Sequence, residues 1–313
     1  MSRLAPEEVR TVTCVGAGVI GGGWAAYFLA RGYRVVAWDP AEDAETRLRH
    51  LVSQAWPALT EVGLAEGAST DNLVVEPDLA TACAQADFIQ ESAPEDLELK
   101  RTLLADIDAA TPDDIVISSS TSGYGMTAMQ DKCAHPERTV VGHPFNPPYL
   151  IPLVEVVGGT QTSPEVVAWT SDFFRHAGKS VITMDREVPG FIANRLQEAL
   201  WREALHMVAV GEATVEQIDL SITDGPGLRW PIQGPMLTFH LAGGQGGMAH
   251  MLDHFAPSLL APWTRLQAAE LTPELRDAVV DGCEREADGR TIDDLVAERD
   301  RGVIAVMRAL GRA

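Results

Sequence analysis

At 313 residues the chain is long enough for two domains, or one large one with an appendage, and its 46% hydrophobic content indicates a globular core. Its net charge of −21 would repel nucleic-acid phosphates, so DNA and RNA are not expected partners. No apolar run reaches the ~18 residues of a membrane span, and Met1-Ser2-Arg3-Leu4-Ala5-Pro6-Glu7-Glu8 carries no apolar signal region, so the cytoplasm is the expected compartment. The four cysteines (Cys14, Cys83, Cys133, Cys283) form no CxxC pair and predict neither a disulfide framework nor a metal site.

Thr11-Val12-Thr13-Cys14-Val15 is short, apolar and β-branched, and predicts a buried strand. It runs into Gly16-Ala17-Gly18-Val19-Ile20-Gly21, and a helical pattern follows to Ala30. In that strand–turn–helix context the first glycine makes the turn. The second lets a pyrophosphate approach, and the third lets helix pack on strand. A second strand, Tyr33–Trp38, ends in Asp39, near the spacing of ~20 residues expected of a ribose-binding acid. A carboxylate there would repel a 2′-phosphate, so NAD is the expected cofactor, with Gly16, Ala17, Gly18, Val19, Ile20, Gly21 and Asp39 around it. The plainer alternative is a surface turn with an incidental aspartate.

Further strands are predicted at Leu73–Val75, Phe88–Gln90, Ile115–Ser118, Thr139–Val141, Leu153–Val157 and Ser180–Thr183. Helices are predicted at Val19–Ala30, Ala41–Leu59, Glu95–Ala110 and Pro164–Ala177. The alternation implies an α/β fold: an N-terminal Rossmann-type, doubly wound, mainly parallel sheet. After Val188-Pro189-Gly190 only helical spacing remains, over Phe191–Val210, Val215–Ile222, Met236–Leu241, Met248–Phe255, Pro273–Glu286 and Thr291–Leu310. The expected division is therefore residues 1–187 for nucleotide binding and 188–313 for an all-α C-terminal domain.

The chemistry is expected around His143, in Gly142-His143-Pro144-Phe145-Asn146-Pro147, and Glu155, twelve residues on. Imidazole is the natural acceptor for an alcohol proton near neutral pH. A carboxylate on its other nitrogen would fix the tautomer and stabilise the imidazolium. Taken alone, a His-Pro pair is more often a turn.

Taken together, these motifs resemble the 3-hydroxyacyl-CoA dehydrogenase family over essentially the whole chain. The resemblance also covers Glu91-Ser92-Ala93-Pro94-Glu95, Ser120-Thr121-Ser122, Val154-Glu155-Val156 and Pro189-Gly190-Phe191-Ile192-Ala193-Asn194-Arg195. It implies that His143 is the base and Glu155 its partner, with Ser122 and Asn194 hydrogen-bonding the substrate. It implies cofactor-cleft positions for Glu95, Lys100, Ser120 and Asn146, and a homodimer formed through the helical domain. Read from the residues alone, Ser122 is more readily a turn residue and Asn194 an ordinary polar residue in the first turns of a helix.

The chain departs from the acyl-CoA enzymes in lacking a lysine between Ala55 and Gly67, and in lacking their glycine-rich segment ending in Phe-Tyr. It carries instead Gly225-Pro226-Gly227-Leu228-Arg229-Trp230, Gly234-Pro235, His240-Leu241-Ala242-Gly243-Gly244 and Ala261-Pro262-Trp263. This set resembles the L-carnitine 3-dehydrogenase branch, with sugar-acid dehydrogenases related to lambda-crystallin as near cousins. A substrate such as L-carnitine carries a trimethylammonium, best bound over aromatic faces, and a carboxylate. Trp230 is the first choice for the ammonium, ahead of Tyr149, Phe191, Trp201 and Trp263; Arg229 could pair with the carboxylate or simply form a structural salt bridge. The remaining alternatives are an L-gulonate-type sugar-acid dehydrogenase, a 3-hydroxyacyl-CoA dehydrogenase and a non-enzymatic, crystallin-like NAD-binding protein.

Overall fold

Eight strands form one sheet in the order β3-β2-β1-β4-β5-β6-β7-β8. They are β1 Thr11–Val15, β2 Arg34–Trp38, β3 Leu73–Val75, β4 Phe88–Glu91, β5 Val116–Ser119, β6 Thr139–Pro144, β7 Leu153–Val157 and β8 Ser180–Met184. The structure is a computed structural model and describes residues 3–259, 264, 270 and 272–312. The chain divides into two compact units, residues 1–194 and 195–313.

In the first unit the strand order reverses beside β1, whose neighbours β2 and β4 lie parallel to it on either side. In open α/β sheets such a reversal opens a crevice at the carboxyl ends of the strands, where ligands bind. The expected Rossmann-type sheet is what forms, with one antiparallel pairing, β6 with β7. That reversal sets His143 directly opposite Glu155 in register, so both side chains share one face of the sheet.

The helices of this unit are α1 Val19–Ala30, α2 Ala44–Val62, α3 Leu79–Cys83, α4 Leu97–Ala110, α5 Met126–Met129 and α6 Pro164–His176. The Asp96 side chain caps α4 by accepting from Leu99 N–H, and Ser163 caps α6 with Pro164 in its first turn. Two cores lie on the two faces of the sheet. On one face, Trp24 and Phe28 of α1 stack at 5.1 Å between ring centroids, and Trp24 stacks on Phe174 of α6 at 5.5 Å. The other packs Leu104 and Ile107 of α4 against Val15, Ile89, Ile117 and Val141. Cys14 sits in the first core, and burial pushes its thiol up to about 12. Arg138, just before β6, forms a buried pair with Asp108 of α4 at 2.7 Å, which fixes the root of the His143 strand.

The second unit is helical. It holds α8 Val215–Thr223, α9 Pro235–Ala242, α10 Gly247–Leu259, α11 Pro273–Ala287 and α12 Ile292–Ala309, after α7 Ala193–Ala209 has carried the chain across the division. Gly282 of α11 lies against Val215 of α8, where a Cβ would stand 2.5 Å from the valine side chain. Arg285 and Glu216 bridge the same two helices at 3.0 Å. Among the described residues no helix is long and apolar enough to cross a membrane.

Candidate active site

At the end of β1 the chain turns through Gly16, whose φ of +99° is left-handed. A Cβ there would lie 2.7 Å from the Ser92 carbonyl oxygen, and one on Gly21 would lie 1.8 Å from the Gly16 oxygen. The turn therefore closes only with glycine at both positions, which brings the start of α1 against the sheet. A Cβ on Gly18 meets nothing within 4 Å, so the space before the helix is open. Here lies a cavity of about 470 Å³, lined by Gly16, Gly18, Val19 and Ile20 on one side and by Trp38, Asp39, Arg47, Ser92 and Leu99 on others. Asp39 Oδ2 accepts from Ala17 N–H at 2.8 Å, and Oδ1 accepts from Ala41 N–H at 3.0 Å. Arg47 Nη2 stands 3.4 Å from Oδ1. Glycine turn, open helix start and fixed carboxylate together fit a dinucleotide, with the pyrophosphate at the helix N-terminus.

Of the expected cofactor residues, Gly16, Gly18, Val19, Ile20 and Asp39 line this cavity. Ala17 holds Asp39, and Gly21 is packed inside the turn. Lys100 lies beneath the surface at 1% exposure, donating to Glu91 Oε1 at 2.9 Å and to the Ala93 carbonyl at 3.1 Å. It also faces Glu95 Oε2 at 3.6 Å. Glu95 Oε1 accepts from the Thr121 hydroxyl at 2.6 Å and from the Ser122 and Gly123 amides at 3.1 and 3.0 Å. Lys100 thus backs Glu95, and Glu95 shapes the Ser122 loop. Asn146 is exposed and precedes a cis peptide bond to Pro147.

The Ser120 hydroxyl is occupied within the protein. Trp24 Nε1, a donor only, approaches at 3.2 Å, and Gln90 Nε2 at 2.6 Å. Gln90 Nε2 also faces the Gly142 carbonyl at 3.4 Å, which identifies that atom as the amide nitrogen. Ser120 therefore donates its one proton to Ser92 Oγ at 2.9 Å, and Ser92 lines the cavity. Neither Ser92 nor Glu91 stood out in the sequence. Their only signal was the motif Glu91-Ser92-Ala93-Pro94-Glu95.

His143 Nδ1 lies 3.0 Å from Glu155 Oε2, with the ring buried at 4% exposure and the glutamate fully buried. The other carboxylate oxygen, Oε1, accepts from the Ile192 and Ala193 amides, each at 3.0 Å. One residue further, Asn194 Nδ2 donates to the Ser122 carbonyl at 2.9 Å. Two hydrogen-bonded groups, His143 with Glu155 and Asn194 with Ser122, are thus tied together through the backbone of residues 192–194.

Burial pushes the Glu155 carboxyl up, but hydrogen bonds from His143, Ala193 and Ile192 more than offset it, and it titrates below its ordinary value. Such a group adds stability that is complete above its unfolded value and is lost as the pH falls through its folded one. The melting temperature of the parent chain should therefore fall more steeply than that of Glu155→Gln once the pH drops below the ordinary glutamate value of about 4.3. Parallel curves would contradict this assignment.

In the helical unit, Arg229 is exposed and Trp230 half-buried, just after a short turn at Pro226–Leu228. Tyr149 packs partly buried against the first core, Phe191 is buried, and Trp201 is exposed. Trp263 lies outside the described residues.

Residues 11–188 match the family model of the 3-hydroxyacyl-CoA dehydrogenase NAD-binding domain, and residues 190–281 match the C-terminal domain of the same family. The chain belongs to the 3-hydroxyacyl-CoA dehydrogenase family, and it is an NAD-dependent dehydrogenase. It is 73% identical to a Streptomyces coelicolor protein named L-carnitine dehydrogenase, covering 98% of this chain and 97% of that one. A Streptomyces griseus protein of the same name is 72% identical, over 98% and 92%. Among solved structures it is similar to an NAD-dependent 5-formyl-3-hydroxy-2-methylpyridine 4-carboxylic acid 5-dehydrogenase, with a TM-score of 0.82, 29% identity and coverage of 97% and 99%.

Proposed function

We propose that this chain oxidises the 3-hydroxyl of L-carnitine to 3-dehydrocarnitine, with NAD as the acceptor. Similarity to relatives of that name along nearly the whole chain supports the substrate. The observation that carries the chemistry is the 3.0 Å contact between His143 Nδ1 and Glu155.

A carboxylate only accepts, so Nδ1 holds the ring proton and Nε2 offers its lone pair. His143 Nε2 takes the hydroxyl proton of the substrate, while NAD, when bound, supplies the site that receives the carbinol hydride. Glu155 balances the charge that develops on the ring, and the Ile192 and Ala193 amides hold Glu155 in place. Ser122 and Asn194 bind the substrate beside its reacting carbon. Glu95 and Asn146 face the cofactor, Lys100 acts through Glu95, and Ser120 acts through Ser92. Trp230 and Arg229 are assigned to the ammonium and the carboxylate because they stand in the segment that separates this chain from the acyl-CoA enzymes. In this reading residues 1–187 bind the nucleotide and residues 188–313 serve the substrate and a second copy of the chain, in the cytoplasm. Leu196, Leu200 and Trp201 of α7, at 56, 48 and 56% exposure, give an apolar face suited to such pairing; light scattering that returns a monomer mass would refute it.

The test is NADH formation with L-carnitine, L-gulonate and 3-hydroxybutyryl-CoA side by side. Carnitine should lead in kcat/KM by at least about 100-fold. A lead for gulonate or the thioester would replace the proposed substrate.

A further inference from the structure

We propose that Phe191 is a positioning residue for the His143–Glu155 pair, acting through its ring on the imidazole and through its backbone on the carboxylate. The inference rests on reading His143 as the base. Gly190 and Phe191 are both left-handed, at φ of +69° and +54°. Glycine adopts that region freely, whereas a residue with a Cβ is strained there, and a bulky one is rare. Left-handed strain of this kind persists only where the surroundings over-determine it.

Two features over-determine it here. The first is the backbone. Phe191 N–H donates to the Val188 carbonyl at 3.1 Å, closing a tight turn directly ahead of α7. That turn aims the next two amides, Ile192 and Ala193, at Glu155 Oε1, each at 3.0 Å. The start of a 17-residue helix thereby meets a buried carboxylate, the favourable sign for a helix N-terminus.

The second feature is the ring. Phe191 is 1% exposed and packs in the core with Val15, Ile89, Ile117, Met126 and Val141. Its centroid lies 5.2 Å from that of His143, at 41° between planes. Phe145 contacts the same imidazole at 4.7 Å and 68°. Rotation of the imidazole about its Cβ–Cγ bond would break the Nδ1 contact and turn Nε2 away from the hydroxyl, and two packed aromatic rings resist that rotation. Glycine at 191 would relieve the backbone but leave one side of the imidazole unsupported.

Phe191→Ala, Phe191→Gly and Phe191→Leu in the full chain, beside His143→Ala, separate these roles. The readouts are NADH affinity, kcat with L-carnitine, melting temperature and imidazole nitrogen NMR, with the His143 signals assigned by their loss in His143→Ala. Alanine and glycine should lower kcat by about 10- to 100-fold while NADH affinity changes by less than about twofold. The His143 signals should pass from one Nδ1–H tautomer to a mixture. Glycine should melt above alanine, because it removes the ring without the left-handed penalty, and it serves as the ring deletion if alanine fails to fold. Leucine should return kcat to within about fivefold of the parent by restoring bulk.

An alanine or glycine variant within about twofold of the parent in kcat, or one losing NADH affinity in proportion to kcat, leaves Phe191 a core residue only. A leucine variant that binds NADH normally yet turns over no faster than alanine also overturns the proposal. Turnover by His143→Ala is a different failure: it removes the base reading itself, whatever Phe191 does.

Discussion

Replacing His143 with alanine should lower kcat for carnitine oxidation by about 100- to 10,000-fold, the range that a positioned general base supplies. NADH affinity should stay near that of the parent, because the glycine turn and Asp39 that would hold the dinucleotide are built from β1, α1 and β2, and His143 on β6 does not line the cavity they form. The size of the loss follows from the geometry. Glu155 touches His143 through one oxygen and the start of α7 through the other. Without the imidazole the carboxylate remains, but it has no ring through which to act on an alcohol. Steady-state rates together with NADH titration by fluorescence check this. A variant with near-parental kcat would remove His143 from the mechanism, and one that no longer binds NADH would make His143 a structural residue.

The second large effect concerns the choice of cofactor. Asp39→Ala should reduce the preference for NAD over NADP by about 100- to 1,000-fold in kcat/KM. The Asp39 carboxylate is held by two backbone amides at the cavity wall, where it would accept from ribose hydroxyls and repel a 2′-phosphate. Removing a like-charge repulsion of a few kcal/mol corresponds to a change of that size. The substitution also releases Arg47 Nη2, which now faces Asp39 Oδ1 at 3.4 Å and lines the same cavity, to pair with the added phosphate while Nη1 stays on Asp43 Oδ1 at 3.1 Å. Adding Arg47→Ala should therefore reverse much of the gain with NADP. An unchanged NAD to NADP ratio in Asp39→Ala would show that the acid does not read the ribose.

Much of this was legible from local pattern. The β-branched runs, the glycine turn and Asp39 are each encoded within a few residues, and all of them form as the spacing predicts. Other features depend on distant parts of the chain. The helix expected from Phe191 begins instead at Ala193, because the turn before it must point two amides at Glu155. Helix α2 starts at Ala44 and not Ala41, since Asp39 takes the Ala41 amide for the turn after β2. The short helices α3 and α5 are too brief to show a period. Pattern gave no sign that β7 runs antiparallel to β6, the pairing that brings His143 opposite Glu155. Nor could spacing reveal that Ser120 spends its proton on Ser92, or that Lys100 is buried behind Glu95, because both depend on partners brought in from other strands.

Hydride transfer from the substrate carbon is read most directly with L-carnitine carrying deuterium at C3, incubated with the protein and NAD and followed by mass spectrometry of both products. The label should move to the reduced cofactor and 3-dehydrocarnitine should appear in equal amount, with neither product formed by His143→Ala on the same time scale. Unlabelled NADH, or label retained in the organic product, would contradict it.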